Sequence, residues 1–513
     1  MLNLPPPTEA ERQRVRELQE RFARSFAATR DDRNAPRTVV IVPSLSLDQE
    51  VLARISGVHH YEERQLCMLL LLRFPRTRVI YLTSTPIAEP IIDYYLHLLP
   101  GIPAQHARRR LTLISCDDAS STPLAEKLLQ RPRVLQRIRE SVPDPGTAHM
   151  TCFTVTELER ALGLALDLPV YGCDPELYYH GTKSGSRRLF REAGMDLPAG
   201  MEDLTDADDV CRALVELKQQ NHHLKRAVIK LNDGFSGEGN AVFDFRGAAD
   251  GEDTASWVGE RLPRLAFEAS GMTWELYSEK LAAMGGIVEE FIEGDVKRSP
   301  SAQLRIDPTG AIEAVSTHDQ LLGGGNAQIF LGCRFPADET YRLEIQDRGL
   351  AVAKALAERG ALGRFSVDFL SVPDGSGGWR HSAIEINLRK GGTTHPFLML
   401  QSLTDGTYCS KTGQFLTPGG EPRYYIASDN LESELYRGLL PFDLIDIAAM
   451  NRLHWHGTNQ EGVAFHLMGA LSEFGKLGVV CIGPSHERAD AYYRETVAIL
   501  ENEGQSWLKS TKP

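Results

Sequence analysis

From Arg37 onward, short apolar runs alternate with segments of helical periodicity, and this alternation limits the possible folds more than any other feature of the chain. Residues 38–42, 78–83 and 111–115 are dominated by aliphatic and β-branched side chains and read as strands. Segments 62–73, 88–99 and 124–141 read as helices between or after them. Strand–helix alternation predicts a parallel sheet, because parallel neighbours need a long crossover that packs back on the sheet. This sheet-bearing unit is expected over 37–174, preceded by a helical arm within 1–36, where Val15, Leu18, Phe22 and Phe26 recur at three- and four-residue spacing. The first strand is followed by Pro43-Ser44-Leu45-Ser46, not by Gly-x-Gly-x-x-Gly, so a dinucleotide-binding Rossmann domain is not expected even with a similar topology.

A length of 513 residues predicts about three domains. The formal charge of −13 argues against a general affinity for nucleic acid or anionic membranes, while leaving room for a local basic pocket. Eight scattered cysteines without a C-x-x-C pair suit a reducing compartment and not a disulfide framework. The N-terminus lacks the apolar core of a signal peptide, and the run 66–72 is too short to span a bilayer. A cytoplasmic protein with no membrane or nucleic-acid partner is expected, with a homodimer as the default assembly.

Beyond Val228 the chain becomes strand-rich, with glycine-rich turns at 234–239, 285–286, 323–325 and 375–378. Gly363-Arg364-Phe365-Ser366-Val367-Asp368-Phe369-Leu370 and Ala383-Ile384-Glu385-Ile386-Asn387-Leu388-Arg389 both alternate apolar and polar residues and read as strands. Side chains two apart share a face, which puts Glu385, Asn387 and Arg389 in one row, with Asp368 available from a neighbouring strand. Two carboxylates and an amide oxygen form a hard donor set for Mg²⁺ with bound phosphates, and the arginine offers a fork for a carboxylate or phosphoryl group. The same pattern also fits an exposed strand face with ordinary charges.

Lys230 closes a strand that runs into Asn232-Asp233-Gly234-Phe235-Ser236-Gly237-Glu238-Gly239-Asn240. Glycines let main-chain N–H groups approach a polyanion and Lys adds a point charge, although a plain turn beside a solvated lysine reads alike. Ile287-Val288-Glu289-Glu290-Phe291-Ile292-Glu293-Gly294-Asp295 suits a hinge that receives adenine through main-chain groups, with a carboxylate near the exocyclic amine; an edge strand with solvated acids is the alternative. Gly181-Thr182-Lys183-Ser184 fails as a Walker A loop, since Thr182 replaces the glycine before the lysine.

Taken in order, Lys183, Lys230 with its glycine loop, Glu289-Glu290-Phe291-Ile292, Asp368 and Glu385-x-Asn387-x-Arg389 resemble the ATP-grasp superfamily over residues 175–400. Longer phrases are similar to the pheganomycin-type peptide ligases across nearly the whole chain. They include Tyr61-Glu62-Glu63-Arg64, Gly181-Thr182-Lys183-Ser184-Gly185-Ser186-Arg187 and Arg389-Lys390-Gly391-Gly392-Thr393-Thr394-His395-Pro396-Phe397. The resemblance implies a parallel-sheet pre-ATP-grasp domain at 37–174, a two-lobed ATP-grasp unit at 175–400 and a C-terminal α/β segment at 401–513, an α/β and α+β protein overall.

It also implies roles. Lys183 and Lys230 would contact phosphates under a loop containing Gly234, Ser236, Gly237 and Gly239. Glu289, Glu290, Phe291 and Ile292 would hold adenine. Val296 stands near where many such ligases carry a ribose-binding glutamate, leaving Asp295 as the candidate. Asp368, Glu385 and Asn387 would bind two Mg²⁺, and Arg389 with Lys230 would stabilise the transferring phosphoryl group. His395 and His318 are the candidates for the base that deprotonates the amine. The expected reaction activates a carboxylic or amino acid as an acylphosphate and couples it to the amine of an amino acid or peptide, releasing ADP and phosphate, in peptide natural-product biosynthesis. An ATP-grasp phosphotransferase and a catalytically silent nucleotide-binding module are the alternatives.

Overall fold

In β1 (Arg37–Val42), Val39 and Ile41 enter one core while Val40 and Val42 enter another. A strand that is apolar on both faces belongs in the middle of a sheet covered twice. β1 lies between β2 (Thr77–Thr83) and β4 (Ala148–Cys152), with β3 (Leu111–Ser115) and β5 (Val170–Tyr171) at the edges, every pair parallel. The structure is a computed structural model describing residues 4–46, 57–234, 239–247, 254–269, 271–323 and 329–510. The predicted helices fill the crossovers. The segment 124–141 divides into Leu124–Leu129 and Pro132–Ser141, because proline has no N–H to continue a helix but starts one readily. The segment 62–73 lies within a run of 3₁₀ turns, Val58–Arg73, tighter than the α-helix its periodicity suggested.

The N-terminal arm is the helix Glu9–Thr29, opened by a capping box between Thr8 and Glu11. Its Phe22 stacks on His149 of β4 at 4.8 Å.

A second sheet, β6 (Gly200–Leu204), β7 (Arg226–Leu231), β8 (Asn240–Asp244), β9 (Ala266–Phe267) and β10 (Gly286–Glu290), is antiparallel in the order β6-β10-β7-β8-β9. The helices Ala207–Gln220 and Trp274–Met284 bury Val210, Leu214, Tyr277 and Leu281 against it.

The third sheet has eight antiparallel strands. It begins with β11 (Pro300–Ile306), β12 (Ile312–Gly323), β13 (Ile329–Phe335), β14 (Gly363–Pro373) and β15 (Trp379–Asn387). After a small hairpin, β16 (Thr407–Cys409) with β17 (Gln414–Leu416), it gains β18 (Tyr424–Glu432), β19 (Gly462–His466) and β20 (Lys476–Gly483). The order is β15-β14-β11-β12-β13-β18-β20-β19, so the sheet runs without a break across residue 400. One core joins β1 and β2 to β18, β19 and β20: Val39, Tyr81, Phe335, Tyr425, Phe465 and Val479 belong to the same buried cluster. The fold is a mixed α/β architecture of one parallel sheet and two antiparallel lobes.

Candidate active site

Residues of the two antiparallel sheets, with residues that follow β1 and β4 of the parallel sheet, line one cleft of about 1120 Å³. Its floor is set by register. β14 pairs antiparallel with β15 so that Asp368 faces Glu385, and β11 places Ser301 beside Asp368. Ser301 Oγ donates to Asp368 Oδ1 at 2.7 Å, and Asn387 Nδ2 donates to Asp368 Oδ2 at 3.0 Å. Burial, and then the neighbouring Glu385 charge, push the Asp368 carboxyl up to about 6. Burial acts on Glu385 in the same direction, but Lys183, with Arg389 and Lys230, overcomes it and holds that carboxyl below its ordinary range. Lys183 Nζ lies 2.5 Å from Glu385 Oε1. The strand ends at Asn387, so Arg389 is not the third member of a strand row but sits in the following turn, still lining the cleft.

Among the described residues no three His, Cys, Asp or Glu side chains cluster as a metal site. Asp368, Glu385 and Asn387 are instead an oxygen-rich set with two half-buried carboxylates facing each other across one strand pair. Such a set fits Mg²⁺, which takes one or two carboxylates and completes its shell with phosphate oxygens and water.

Lys183 begins the helix Lys183–Glu192, capped by Thr182, whose Oγ1 accepts from Gly185 N at 3.0 Å. Asn232, just past β7, pins this helix start: its Oδ1 accepts from Ser184 N at 2.9 Å and its carbonyl from Lys183 N at 3.2 Å. The two lysines are thereby tied together. Lys230 Nζ is 2.5 Å from Glu289 Oε1, and Arg187 Nη1 is 3.0 Å from Glu289 Oε2. Glu289 is buried between these two cations and orients Lys230, while still lining the cleft. In the hinge, Glu290 N donates to Ala199 O and Phe291 N to Arg226 O, which leaves Ile292 as the first hinge residue whose N–H reaches no described partner. Glu290, Phe291, Ile292 and Asp295 all line the cleft, as do Gly234 and Gly239. Ser236 and Gly237 lie outside the described residues.

His395 does not line the cleft. It is buried in the first turn of the helix Thr394–Thr404, its Nε2 2.9 Å from His466 Nε2, and burial holds its imidazole far below the ordinary range. A proton acceptor must reach the proton it takes, and this ring is walled off. His318 is likewise enclosed, hydrogen-bonded to Tyr425 Oη at 2.6 Å and pushed down to about 3 by burial.

The sequence singled out Tyr61 and Arg64 within a family phrase but gave no role to the far wall of the cleft. Tyr61 and Arg64 from the 3₁₀ segment, Phe153 after β4, Asp429 and Asn430 of β18, and Lys476 of β20 all line it. One signal was available: Glu62-Glu63-Arg64 are charges placed directly before an apolar run that has to be buried.

Similarity to known proteins matches this geometry. Residues 175–256 and 252–408 match the family described as "IQCH-like, ATP-grasp", and residues 443–496 match the "PGM1 C-terminal domain" family. The chain superposes on the biotin carboxylase domain of 2-oxoglutarate carboxylase from Hydrogenobacter thermophilus with a TM-score of 0.54 at 13% identity, covering 91% of this chain and 94% of that one. Biotin carboxylase from Campylobacter jejuni gives a TM-score of 0.53 at 13% identity, covering 92% and 95%. These likenesses establish the class: the fold is that of an ATP-grasp enzyme. L-propargylglycine–L-glutamate ligase of Streptantibioticus cattleyicolor is 30% identical over 481 residues, spanning 90% of this chain and 94% of the relative. IQ motif-containing protein H of Danio rerio is 24% identical over 433 residues, 76% of this chain but 41% of that protein. The chain belongs to the ATP-grasp superfamily, within the pheganomycin-type peptide ligase family, and is an ATP-dependent ligase that joins a carboxylate to an amine.

Proposed function

We propose that the chain couples the carboxylate of an amino acid or related acid to the amine of an amino acid or peptide, by way of an acylphosphate. One observation carries this reading: Asp368, Glu385 and Asn387 share a single cleft with Lys183, Lys230 and Arg389. A carboxylate does not react with an amine at neutral pH because oxide is a poor leaving group, and transfer of the γ-phosphoryl group supplies a better one. Phosphoryl transfer is catalysed by positioning and by neutralising charge on the phosphate oxygens. Lys183 and Lys230, each now paired with a carboxylate, would exchange it for nucleotide phosphates. Arg389 would steady the transferring group, Asp295 the ribose, and the hinge through Ile292 the adenine. Two Mg²⁺ held by Asp368, Glu385 and Asn387 would neutralise charge on the triphosphate.

The relative's name pairs propargylglycine with glutamate. For this chain the corresponding class is an amino acid on each side of the new amide. The eight cysteines are all free thiols, which supports a reducing, cytoplasmic setting.

The test is to supply ATP, Mg²⁺, a panel of amino and carboxylic acids, and hydroxylamine in place of the amine. A hydroxamate accompanied by ADP is the expected product and names the donor acid. A hydroxamate accompanied by AMP would replace the acylphosphate with an adenylate.

A further inference from the structure

The loop that leaves the phosphoryl-transfer end of the cleft leads directly to its far wall. After Arg389, Lys390 N donates to Phe153 O at 3.2 Å, and Lys390 Nζ donates to Thr151 Oγ1 at 2.7 Å. The Phe153 ring then lies 4.7 Å from the Arg64 guanidinium carbon, and the Tyr61 ring 4.5 Å from it. Arg64 is 6% exposed. Its Nη1 holds Asp429 Oδ2 at 2.9 Å, its Nε is buried without a partner, and its Nη2 bonds to no described residue. Lys476 joins it, its Nζ 5.3 Å from the Tyr61 ring and only 3.9 Å from the exposed carboxylate of Glu432. The wall thus sets Arg64 and Lys476 beside Asp429, which is 10% exposed, with the exposed Glu432 behind Lys476 and Arg64 Nη2 left over. An arginine whose only task was to tie the 3₁₀ segment to β18 would gain nothing from a neighbouring lysine and from an Nη2 without a described partner beside a cleft.

We infer that Arg64 and Lys476 form a carboxylate-binding subsite that takes the free carboxylate of the amine-bearing substrate. This deepens the ligase reading and rests on it. The acceptor is an amino acid or peptide, and its own carboxylate must be kept away from the γ-phosphate. A planar guanidinium beside aromatic rings is preorganised for a carboxylate, and Asp429 fixes its orientation through Nη1 while Nη2 keeps no described partner. Selection is then for an acceptor that ends in an acid, with the amine directed back toward Arg389.

The donor acid identified by hydroxamate formation is offered the common L-amino acids and dipeptides as acceptors, each alongside its C-terminal carboxamide. The wild-type chain is expected to prefer the free acid over the carboxamide by about 30-fold in kcat/KM, the scale of a charge-assisted hydrogen-bond pair. In Lys476→Gln and Arg64→Gln that preference falls to about threefold or less through KM for the acid, and Arg64→Lys restores part of it. Arg64 is buried, so if its variants do not fold, the wild-type preference and Lys476→Gln still decide. Equal use of acid and carboxamide by the wild type, or an unchanged preference in Lys476→Gln, overturns the subsite while hydroxamate formation keeps the ligase reading intact. Absence of hydroxamate with every acid overturns both.

Discussion

Asp368 and Glu385 face each other across one strand pair, yet their surroundings set them apart. Lys183 keeps Glu385 ionised, whereas Asp368 rises to about 6 beside it. Glu385 is therefore the carboxylate whose charge the lysines and arginine of the cleft balance. Replacing Glu385 by Gln keeps the shape and removes that charge, so ATP-dependent product formation is expected to fall by about 10³-fold. ATP affinity measured by calorimetry should change far less; near-normal turnover would remove Glu385 from the metal set. Glu62 offers a test of a different kind. It is buried, accepts from Ser84 N and Ser84 Oγ at 2.6 Å each, and burial raises its carboxyl to about 7. The unfolded chain loses this proton near 4.5, so between 4.5 and about 7 the folded state binds more protons than the unfolded one, and stability falls as pH rises through that window. Glu62→Gln cannot titrate. Denaturant unfolding should therefore show the variant gaining on wild type by on the order of 3 kcal/mol from pH 4.5 to 8, with a constant gap above and below. A gap that does not vary with pH would show that Glu62 is charged in the fold throughout.

The helix Lys183–Glu192 is an element that the sequence marked only through the motif at its start. Gly-Thr-Lys-Ser fails as a phosphate loop, and the structure uses Thr182 as an N-cap and Gly185 for a close approach. A Cβ on Gly185 would stand 1.7 Å from Tyr179 O, whose carbonyl already accepts from Thr182 N and Thr182 Oγ1. Gly185→Ala must therefore displace the turn that sets Lys183. The expected loss is about 3 kcal/mol of stability together with most ATP turnover, read by unfolding and ADP release. Retained stability with full activity would mean that the turn yields at no cost. The parallel strands were legible because their signal is local: apolar runs separated by helical periods. The hinge strand was legible as a strand, but the ion pairs of Glu289 were not, because its partners Lys230 and Arg187 lie 59 and 102 residues away. His395 was misjudged for the same reason, since its enclosure depends on His466, 71 residues on.

At the scale of the whole molecule, the division least visible in the sequence is the one drawn at residue 400. Motif order is a local property and ends with Arg389 and the segment after it, whereas the pairing of β13 with β18 joins Cys333 to Ala427 and Phe335 to Tyr425 across about ninety residues of chain. No periodicity within either strand announces that partnership. The consequence is physical. A chain ending at 400 would lose β18, β19 and β20, bare the N–H and C=O edge of β13, and expose Phe335, which packs on Tyr425 at 5.0 Å between ring centroids. It would also uncover the side of β1 and β2 that shares a core with Phe465 and Val479, and remove Asp429 and Lys476 from the cleft. An unpaired edge beside exposed apolar surface favours association over folding. Residues 1–400 are therefore expected to aggregate, and to show no cooperative melting by circular dichroism and no stabilisation by ATP with Mg²⁺. The full chain should be stabilised by about 2.7 kcal/mol at a hundredfold excess of nucleotide over its Kd. A monodisperse 1–400 fragment that melts cooperatively and gains stability from ATP would make the last three strands a separate attachment, not part of the lobe that holds Asp368 and Glu385.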